Sequence, residues 1–396
     1  MPMSAEVNAE PCHLLMTTDA VGGVWSYALD LARGLIEQNV FVTLAVLGPA
    51  PTDAQKREAR SITGLELVET ALPLDWLSDN EKMVEKSAKD LAKMAREIGA
   101  NLVQLNGSPL ASAARFSVPV VAVHHSCLAT WWAAVKGEPV RPDWRWRADL
   151  VGRHLAASDR LVVPSAAFGA SVVASYGLSE RPRVVHNGRS KSASLTRADG
   201  AGEALLFTAG RLWDEGKDIC TLDRAAARLE VSVLAAGPIQ GPNSARVECR
   251  NLRLLGGLSS EEVRARLAEG PIFVSTSVYE PFGLSVLEAA QAGCALLLSD
   301  IPTFRELWHG AALFVPPRDD RSLAQAAERL LREPALRSGL GEAARQRAES
   351  FSLARMVRAM ASLYAELIQK NQRRPSRASV LRKDCGKITQ VAGAAA

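Results

Sequence analysis

The sequence lacks long apolar runs and paired cysteines, and both absences limit the kind of protein it encodes. Its 396 residues contain no stretch of about 18 apolar side chains, the length that a membrane-spanning helix needs. The opening residues, MPMSAEVNAEPC, lack the basic-then-apolar order of a secretory signal. The 6 cysteines include no C-x-x-C pair, which argues against a zinc site and against a disulfide framework. We therefore expect a cytoplasmic protein with reduced thiols.

A large excess of one charge is also absent. The chain has 47 lysines and arginines against 43 acidic residues, a net charge of +4. The basic excess lies mainly after Lys370, and we expect residues 371–396 to form a disordered basic tail. Such a tail leaves peripheral contact with the inner face of an anionic membrane open. The other basic residues line neither an aromatic sheet face nor a recognition helix, so no nucleic-acid partner is expected.

What the sequence does contain is a regular alternation of short β-branched runs with longer amphipathic stretches. It begins with CHLLMTT, GVWSYALDLARGLIEQ and VFVTLAVLG, and it starts afresh at EALLFTAG after a segment rich in serine and glycine. This rhythm is typical of parallel sheets covered by helices, so we predict an α/β protein with two Rossmann-like domains in tandem. The predicted organisation is a first domain over 1–190, a linker over 191–202, a second domain over 203–352 and a closing helix over 353–370.

Two glutamates, Glu280 and Glu288, are separated by seven residues in SVYEPFGLSVLEAAQAGCA. PIFVSTS predicts a strand and LSVLEAAQAG a helix, so Glu280 lies in the loop between them and Glu288 more than one turn into the helix. Ligands of parallel sheets bind beyond the carboxyl ends of the strands, where a helix N-terminus offers N–H groups to an anion. We expect Gly283 and Leu284 to contact phosphate there. The alternative to a binding site is that Glu280 is an ordinary acidic residue of a loop and Glu288 an exposed one of a helix.

Two cations follow the first strand of the second series, in TAGRLWDEGKD. Arg211 comes directly after the predicted strand end and Lys217 lies near the next helix start. An arginine that can bond bidentately and a lysine that acts as a point charge, both at strand ends, indicate a diphosphate site. Ordinary surface charge is the alternative for this segment taken alone.

In the first domain, TTDAVGGVWSYALDLARG places Gly22 and Gly23 between a strand and a helix. Glycines there permit close approach of the backbone to a ligand, although a tight turn explains them equally and the G-x-G-x-x-G fingerprint is absent. VAVHHSCLATWW ends another strand with His124 and His125. Because side chains alternate along a strand, only one of these histidines is expected to face the crevice.

A group of tryptophans and arginines follows these histidines. Aromatic faces suit the C–H surfaces of a sugar or an apolar lipid-linked acceptor, and arginines suit the phosphate of such an acceptor. Packing beneath a loop explains the group as well. The candidate acceptor residues are Trp131, Trp132, Trp144 and Arg145.

Taken together, these motifs resemble the retaining glycosyltransferases of family 4, whose GT-B architecture has two facing Rossmann-like domains with a cleft between them. The resemblance runs to about Gln369 and rests on four segments, which are YEPFGLSVLEAAQAG, TAGRLWDEGK, SDIPTFRELW and VVHNG. In one departure, six positions separate Arg211 from Lys217, where many members have five. The resemblance implies an acceptor side in the first domain and a donor side in the second.

The resemblance also implies an activity and residue roles. The activity is transfer of a sugar from a nucleotide diphosphate sugar to an acceptor hydroxyl with retained configuration, in bacterial polysaccharide or glycoconjugate synthesis. Arg211 and Lys217 would bind the diphosphate, Glu288 the ribose and Glu280 the donor sugar beside the reacting carbon. His125 would contact the sugar or stabilise charge in the transition state. Backbone contacts to the donor are implied for Phe282, Gly283 and Leu284, and for the loop of Gly22 and Gly23.

No D-x-D triplet occurs in the chain to hold a divalent ion against a diphosphate. We therefore expect a metal-independent transferase without a cofactor, in which cationic side chains meet the charge of the leaving group. Two alternatives remain open, which are a nucleotide-sugar epimerase that needs no acceptor and a non-catalytic nucleotide-sugar-binding protein.

Overall fold

The computed structural model describes residues 12–107, 109–190, 205–241 and 244–373. The predicted linker over 191–202 lies outside these residues, as does the predicted tail over 371–396 except for its first three residues. The last helix runs to Gln372, two residues further than predicted. The described chain forms two parallel sheets, each covered by helices, which confirms the predicted α/β fold.

The first sheet has seven strands, and the chain order is broken where β1 pairs with β4. Its strands are β1 His13–Asp19, β2 Phe41–Leu47, β3 Leu65–Glu69, β4 Leu102–Asn106, β5 Val120–Val123, β6 Arg160–Val163 and β7 Arg183–Val184. Their order is β3-β2-β1-β4-β5-β6-β7. The helices between them are α1 Gly23–Ile36, α2 Asp53–Arg60, α3 Glu81–Glu97, α4 Leu128–Lys136, α5 Arg145–Ala157 and α6 Ala166–Tyr176.

The second sheet repeats this plan with six strands. They are β8 Leu206–Ala209, β9 Val233–Ala236, β10 Arg253–Gly256, β11 Ile272–Ser275, β12 Ala295–Ser299 and β13 Leu313–Val315, in the order β10-β9-β8-β11-β12-β13. Its helices are α7 Ile219–Ala226, α8 Ser260–Ala268, α9 Leu284–Gln291, α10 Pro302–Trp308, α11 Asp320–Arg332 and α12 Pro334–Ala348. The order reverses between β8 and β11, and parallel sheets bind ligands at such a switch point.

The carboxyl ends of the two sheets face each other. Asp19 ends β1 and Ala209 ends β8, and the segments that follow them are in contact. A Cβ atom at Gly22 would lie 3.1 Å from the Nη1 atom of Arg211. The two switch points therefore open onto one cleft between the sheets.

The last helix, α13 Leu353–Gln372, returns to the first sheet. Its buried side chains pack into the same apolar cluster as those of α1 and β1. The crossing is close, because a Cβ atom at Gly34 of α1 would lie only 2.4 Å from the Cγ2 atom of Val357. The helix thus joins the end of the second half of the chain to the first half.

Candidate functional site

The loop that carries Glu280 and the turn that carries Lys217 form one unit. The Nζ atom of Lys217 pairs with a carboxylate oxygen of Glu280, and both side chains are largely buried. The backbone N–H groups of Val278 and Tyr279 donate to the Gly216 carbonyl, at 2.9 and 3.2 Å. The Thr276 hydroxyl donates to the Lys217 carbonyl at 2.9 Å. Two segments 63 residues apart in the chain thus place a cation and a carboxylate together at the switch point.

Asp214 organises the cationic side of this unit, and the sequence analysis gave it no role. Its Oδ2 atom accepts a hydrogen bond from Arg211 at 3.0 Å, and its Oδ1 atom accepts one from the Gly216 N–H at 2.9 Å. Oδ1 also accepts from the Trp131 indole of the first domain at 3.0 Å. Burial opposes ionisation of Asp214, but Arg211 and Lys217 outweigh it and lower the pKa of the carboxyl. The signal available in the sequence was the Asp-x-Gly turn itself.

The glycine loop of the first domain lies over the donor side of the cleft. Gly22 precedes α1 with its backbone against Arg211, and a Cβ atom at Gly23 would lie 3.3 Å from the Cδ1 atom of Leu284. Gly283 precedes α9 at a φ of 91°, a left-handed conformation that favours glycine. The structure therefore brings Gly22, Gly23, Gly283 and Leu284 together, with the N-terminus of α9 directed at the cleft.

Phe282 contributes its side chain to the core. It is 3% exposed, and its ring centroid lies 5.7 Å from that of Phe351. Only its backbone is thus available for the predicted contact with the donor.

Glu288 lies on α9 within an ion-pair chain that spans both halves of the molecule. Its Oε1 atom is 2.5 Å from the Nη2 atom of Arg189. The Nη1 atom of the same guanidinium lies 2.8 Å from the Oδ2 atom of Asp30. The three side chains are between 10% and 21% exposed. Glu288 is therefore an oriented carboxylate and not an exposed helix acid. The sequence analysis gave Arg189 no role, because no local pattern indicates a contact with Glu288.

Of the two adjacent histidines, His125 lines the cleft and His124 lies in the packing beneath it. His124 is 1% exposed and stacks on Phe168 with 5.6 Å between ring centroids. The Nε2 atom of His125 is 3.2 Å from the Oδ1 atom of Asn106. Because the Asn106 amide group donates to the Thr17 carbonyl, its oxygen must accept, so the His125 Nε2 atom carries the proton.

The hydrogen bonds continue from Asn106 away from the cleft. Gln104 donates to the same Asn106 oxygen at 3.0 Å, and the Tyr364 hydroxyl of α13 donates to Gln104. Burial and the neighbouring His124 lower the pKa of His125 to about 3. The imidazole is therefore neutral near pH 7 and held in one tautomer.

Cys127 directly precedes α4, beside these histidines. Its thiol is 3.1 Å from the Thr130 hydroxyl and 3.3 Å from that of Tyr176. Burial opposes ionisation of the thiol, but His124 and these hydroxyl groups outweigh it and lower the pKa of Cys127 to about 7. The cluster fixes the end of β5 and the start of α4 next to the cleft.

A cavity of about 450 Å³ opens on the first-domain side of Arg211. Trp131, Trp132 and Trp144 line it, as do His125 and Gly22. Arg145 is exposed, and the structure does not bring it to this cavity. The arginine of the same segment that does line the cavity is Arg147.

Further contacts tie the two halves together around the site. The hydroxyl groups of Tyr279 and Thr130 are 2.8 Å apart, and Ser165 donates to the Pro281 carbonyl at 2.7 Å. The Glu306 carboxylate of α10 accepts from the N–H groups of Ala166 and Ala167, at 2.9 and 2.6 Å, and so caps α6. Glu306 belongs to the SDIPTFRELW segment, and the sequence analysis assigned it no contact.

Two other kinds of site do not occur among the described residues. No helix among them is long and apolar enough to cross a membrane. Within the same part of the chain, no group of three or more His, Cys, Asp or Glu side chains is placed to hold a metal ion.

Comparison with known proteins gives matches for both halves of the chain. Residues 21–191 match the family model described as Glycosyltransferase Family 4, and residues 200–347 match Glycosyl transferases group 1. The chain is 27% identical over 199 residues to alpha-D-kanosaminyltransferase of Streptomyces kanamyceticus, which covers 48% of this chain and 47% of that protein. The chain spans less than two thirds of the length of the curated relatives it matches.

Solved structures share the fold over nearly the whole chain. Sucrose-phosphate synthase from Thermosynechococcus elongatus superposes with a TM-score of 0.76 at 20% identity, covering 91% of this chain and 100% of that one. HepE from Anabaena, solved in complex with UDP-glucose, superposes with a TM-score of 0.69 at 18% identity, covering 90% and 100%. These likenesses confirm the predicted arrangement of two facing Rossmann-like domains.

Proposed function

Because the chain belongs to the group 1 glycosyltransferases, we propose that it transfers a sugar from a nucleotide diphosphate sugar to an acceptor hydroxyl with retention of anomeric configuration. The reaction takes place in the cleft between the sheets. The second domain holds the donor and the first domain the acceptor, in the synthesis of a polysaccharide or glycoconjugate.

One observation carries this proposal, which is the grouping of Arg211, Lys217 and Glu280 at the switch point beneath Gly22. Arg211 and Lys217 bind the diphosphate, with the N-terminus of α9 contributing backbone N–H groups. Without a donor, Glu280 neutralises Lys217. When the diphosphate supplies its own negative charge to Lys217, the Glu280 carboxylate is available to the hydroxyl groups of the donor sugar.

The ribose and the sugar are held from opposite sides. Glu288 accepts hydrogen bonds from the ribose, and Arg189 orients its carboxylate through the Oε1 atom. His125 is neutral, with its proton on Nε2, so its other ring nitrogen accepts a hydrogen bond from a hydroxyl group. The complex of HepE with UDP-glucose makes a uridine diphosphate sugar the first donor to test.

In the transfer step, the bond between the anomeric carbon and the phosphate oxygen breaks while the acceptor oxygen bonds to that carbon on the same face. The departing phosphate takes the proton of the acceptor hydroxyl. Negative charge grows on the leaving group, and Arg211 and Lys217 stabilise it. The absence of a D-x-D triplet supports a reaction without a metal ion.

The test begins with a thermal-shift series of nucleotide diphosphate sugars, because a ligand of the folded state raises the melting temperature. The binding donor is then incubated with carbohydrate and lipid-linked acceptors, and the anomeric configuration of the product is read by NMR. Retention is expected, with activity unchanged in excess EDTA. Activity that EDTA abolishes and magnesium restores would contradict metal independence. Conversion of the donor without an acceptor would favour an epimerase, and binding without turnover a binding protein.

Arg211→Ala and Lys217→Ala should each lower turnover at least tenfold, about 1.4 kcal/mol of transition-state stabilisation. Arg332→Ala, on the exposed face of α11, is the matched control and should leave turnover unchanged. Equal turnover in all three variants would remove the diphosphate assignment.

A further inference from the structure

The cavity on the first-domain side of Arg211 is walled by aromatic rings from both halves of the molecule. The faces of tryptophan rings pack well on the C–H surface of a sugar. Trp131 is held in place by Asp214, and the Trp132 and Trp144 ring centroids are 6.2 Å apart. The tryptophans that line the cavity are Trp76, Trp131, Trp132, Trp144 and Trp213.

Every cation that lines this cavity already has a partner. Lys136 pairs with Glu215 at 2.5 Å, and Arg211 pairs with Asp214 at 3.0 Å. Arg147 donates to the Ser78 carbonyl at 2.6 Å, and its guanidinium lies 4.9 Å from the Trp144 ring centroid. Arg211 is assigned to the donor diphosphate, and Lys136 and Arg147 are bonded to protein groups, so a phosphate on the acceptor would have to compete with these existing partners for a cation.

The cavity has two further carboxylate side chains in its wall. Asp19 and Asp75 line it, and although Arg211 lies near Asp19 and Arg147 near Asp75, no salt bridge joins either carboxylate to a described residue. Asp19 accepts a hydrogen bond from the Val21 N–H at 2.9 Å. Burial raises the pKa of both carboxyl groups, that of Asp75 to about 6. Desolvated carboxylates favour ligands that donate hydrogen bonds or carry positive charge, and they repel anions.

We propose that this cavity binds the acceptor as a non-phosphorylated sugar, neutral or amino-substituted, whose ring lies against the tryptophans and whose hydroxyl or amino groups donate to Asp19 and Asp75. The proposal rests on the proposed transferase function and narrows its acceptor class. An acceptor whose recognised sugar carries a phosphate is rejected, because the two carboxylates repel it and the phosphate would have to displace the partners of Lys136 and Arg147.

The test compares three matched pairs of probes on the full chain, which are glucose, glucosamine and mannose with their 6-phosphates. Binding is followed by tryptophan fluorescence at sugar concentrations up to about 100 mM, so that dissociation constants in the millimolar range can be measured. Each titration is made with and without the nucleoside diphosphate that gives the largest thermal shift. We expect the non-phosphorylated member of each pair to bind at least tenfold more tightly.

Variants separate the carboxylates from general packing. Asp75→Asn and Asp19→Asn should each weaken glucosamine binding about tenfold and reduce the discrimination against its 6-phosphate. Asp149→Asn, an exposed aspartate of α5 outside the cavity, is the matched control and should bind like the wild type. Using two aspartates protects the test against a folding defect in one variant.

Tighter binding of the phosphorylated sugars, or no binding by any of the six, overturns the acceptor proposal. The nucleotide arm reports separately on the transferase proposal. Sugar discrimination without any nucleotide binding would contradict the proposed function, whereas nucleotide binding without discrimination would contradict only the acceptor class.

Discussion

At the scale of single side chains, Lys217 pairs with Glu280, so the residue proposed to bind the diphosphate and the residue proposed to bind the sugar depend on each other. Both side chains are largely buried, so removing one partner leaves the other as a poorly solvated charge. Mutations here therefore change two binding steps in opposite directions, and turnover alone does not separate them.

Glu280→Gln should lower turnover at least tenfold, about 1.4 kcal/mol, while the nucleoside diphosphate binds as tightly as before or more tightly. The reason is that Lys217 loses a competing carboxylate and keeps its charge. Calorimetry with the nucleoside diphosphate and steady-state transfer give the two numbers, and Glu269→Gln on the exposed end of α8 is the control. A parallel loss of nucleotide affinity and turnover would place Glu280 on the nucleotide instead.

Asp75 should behave as a residue that costs stability. Its folded pKa is raised to about 6, whereas an aspartate in an unfolded chain titrates near about 3.9. The folded protein thus binds the proton more tightly, and the charged carboxylate destabilises the fold increasingly from about pH 4 to pH 6 and fully above it.

Asp75→Asn removes this cost. The variant should melt at a higher temperature than the wild type at about pH 7.5, and the difference should disappear near about pH 4. Thermal melts across this range measure it, with Asp149→Asn expected to show no such trend. A variant that melts below the wild type at neutral pH would show that the carboxylate stabilises its surroundings.

The sequence predicted side chains at strand ends better than their partners. Glu280, Arg211 and Lys217 were predicted at strand ends because strands and turns are local patterns, whereas His125 was preferred to His124 only through the family resemblance. The sequence analysis did not identify Asp214 or Arg189. Asp214 contacts Trp131 and Arg189 contacts Glu288, and both contacts join segments that are distant in the chain. Their roles in binding stay predictions until variants are measured.

At the scale of helices and strands, the sequence indicates a helix most clearly where a capping residue precedes a stretch of periodic apolar side chains. Ser259 and Glu262 form a capping box at the start of α8, and the side chain of Ser165 caps α6 at Ala166–Tyr176. The helix α2 was not anticipated, because DAQKREAR has almost no apolar side chains and depends on the Thr52 and Gln55 capping box. The helix α7 begins only at Ile219, because Asp218 before it takes a left-handed conformation.

The crossing of α1 and α13 gives a prediction about an element. A Cβ atom at Gly34 would lie 2.4 Å from Val357 Cγ2, so Gly34→Ala forces the helices apart and should destabilise the protein by about 1–3 kcal/mol. A Cβ atom at Gly339 of α12 would meet no neighbouring atom within 4 Å, and Gly339→Ala should be neutral or stabilise by up to about 1 kcal/mol. Urea unfolding of both variants measures the difference. Equal effects would mean that α13 shifts freely on α1.

At the scale of the whole molecule, side chains of one domain contact the other domain beside the cleft and hold it closed. Tyr279 meets Thr130, Pro281 meets Ser165, and Glu306 caps a helix of the other domain. Two of these three contacts come from the loop that carries Glu280. A rigid-body opening of the domains would therefore move Glu280 away from His125, so we expect that closing the cleft also brings together the residues proposed to bind the sugar.

Glu306→Gln tests this coupling. The carboxylate lies at the positive end of α6 and near His186, and although burial opposes its ionisation, the bonds from His186, Ala166 and Ala167 lower its pKa. Because a lowered carboxyl pKa stabilises the folded state above the unfolded value near about 4.3, the stabilisation is present at neutral pH and is lost as the pH falls below that value.

The variant should therefore melt below the wild type at neutral pH, and the gap should close below about pH 4. It should also show a larger radius of gyration in solution scattering and a several-fold lower turnover, with nucleoside diphosphate affinity nearly unchanged, because Arg211 and Lys217 belong to one domain. Glu342→Gln, whose carboxylate pairs with Arg345 on the exposed face of α12, is the matched control. An unchanged radius together with unchanged turnover would show that the cap stabilises α6 alone and does not hold the domains closed.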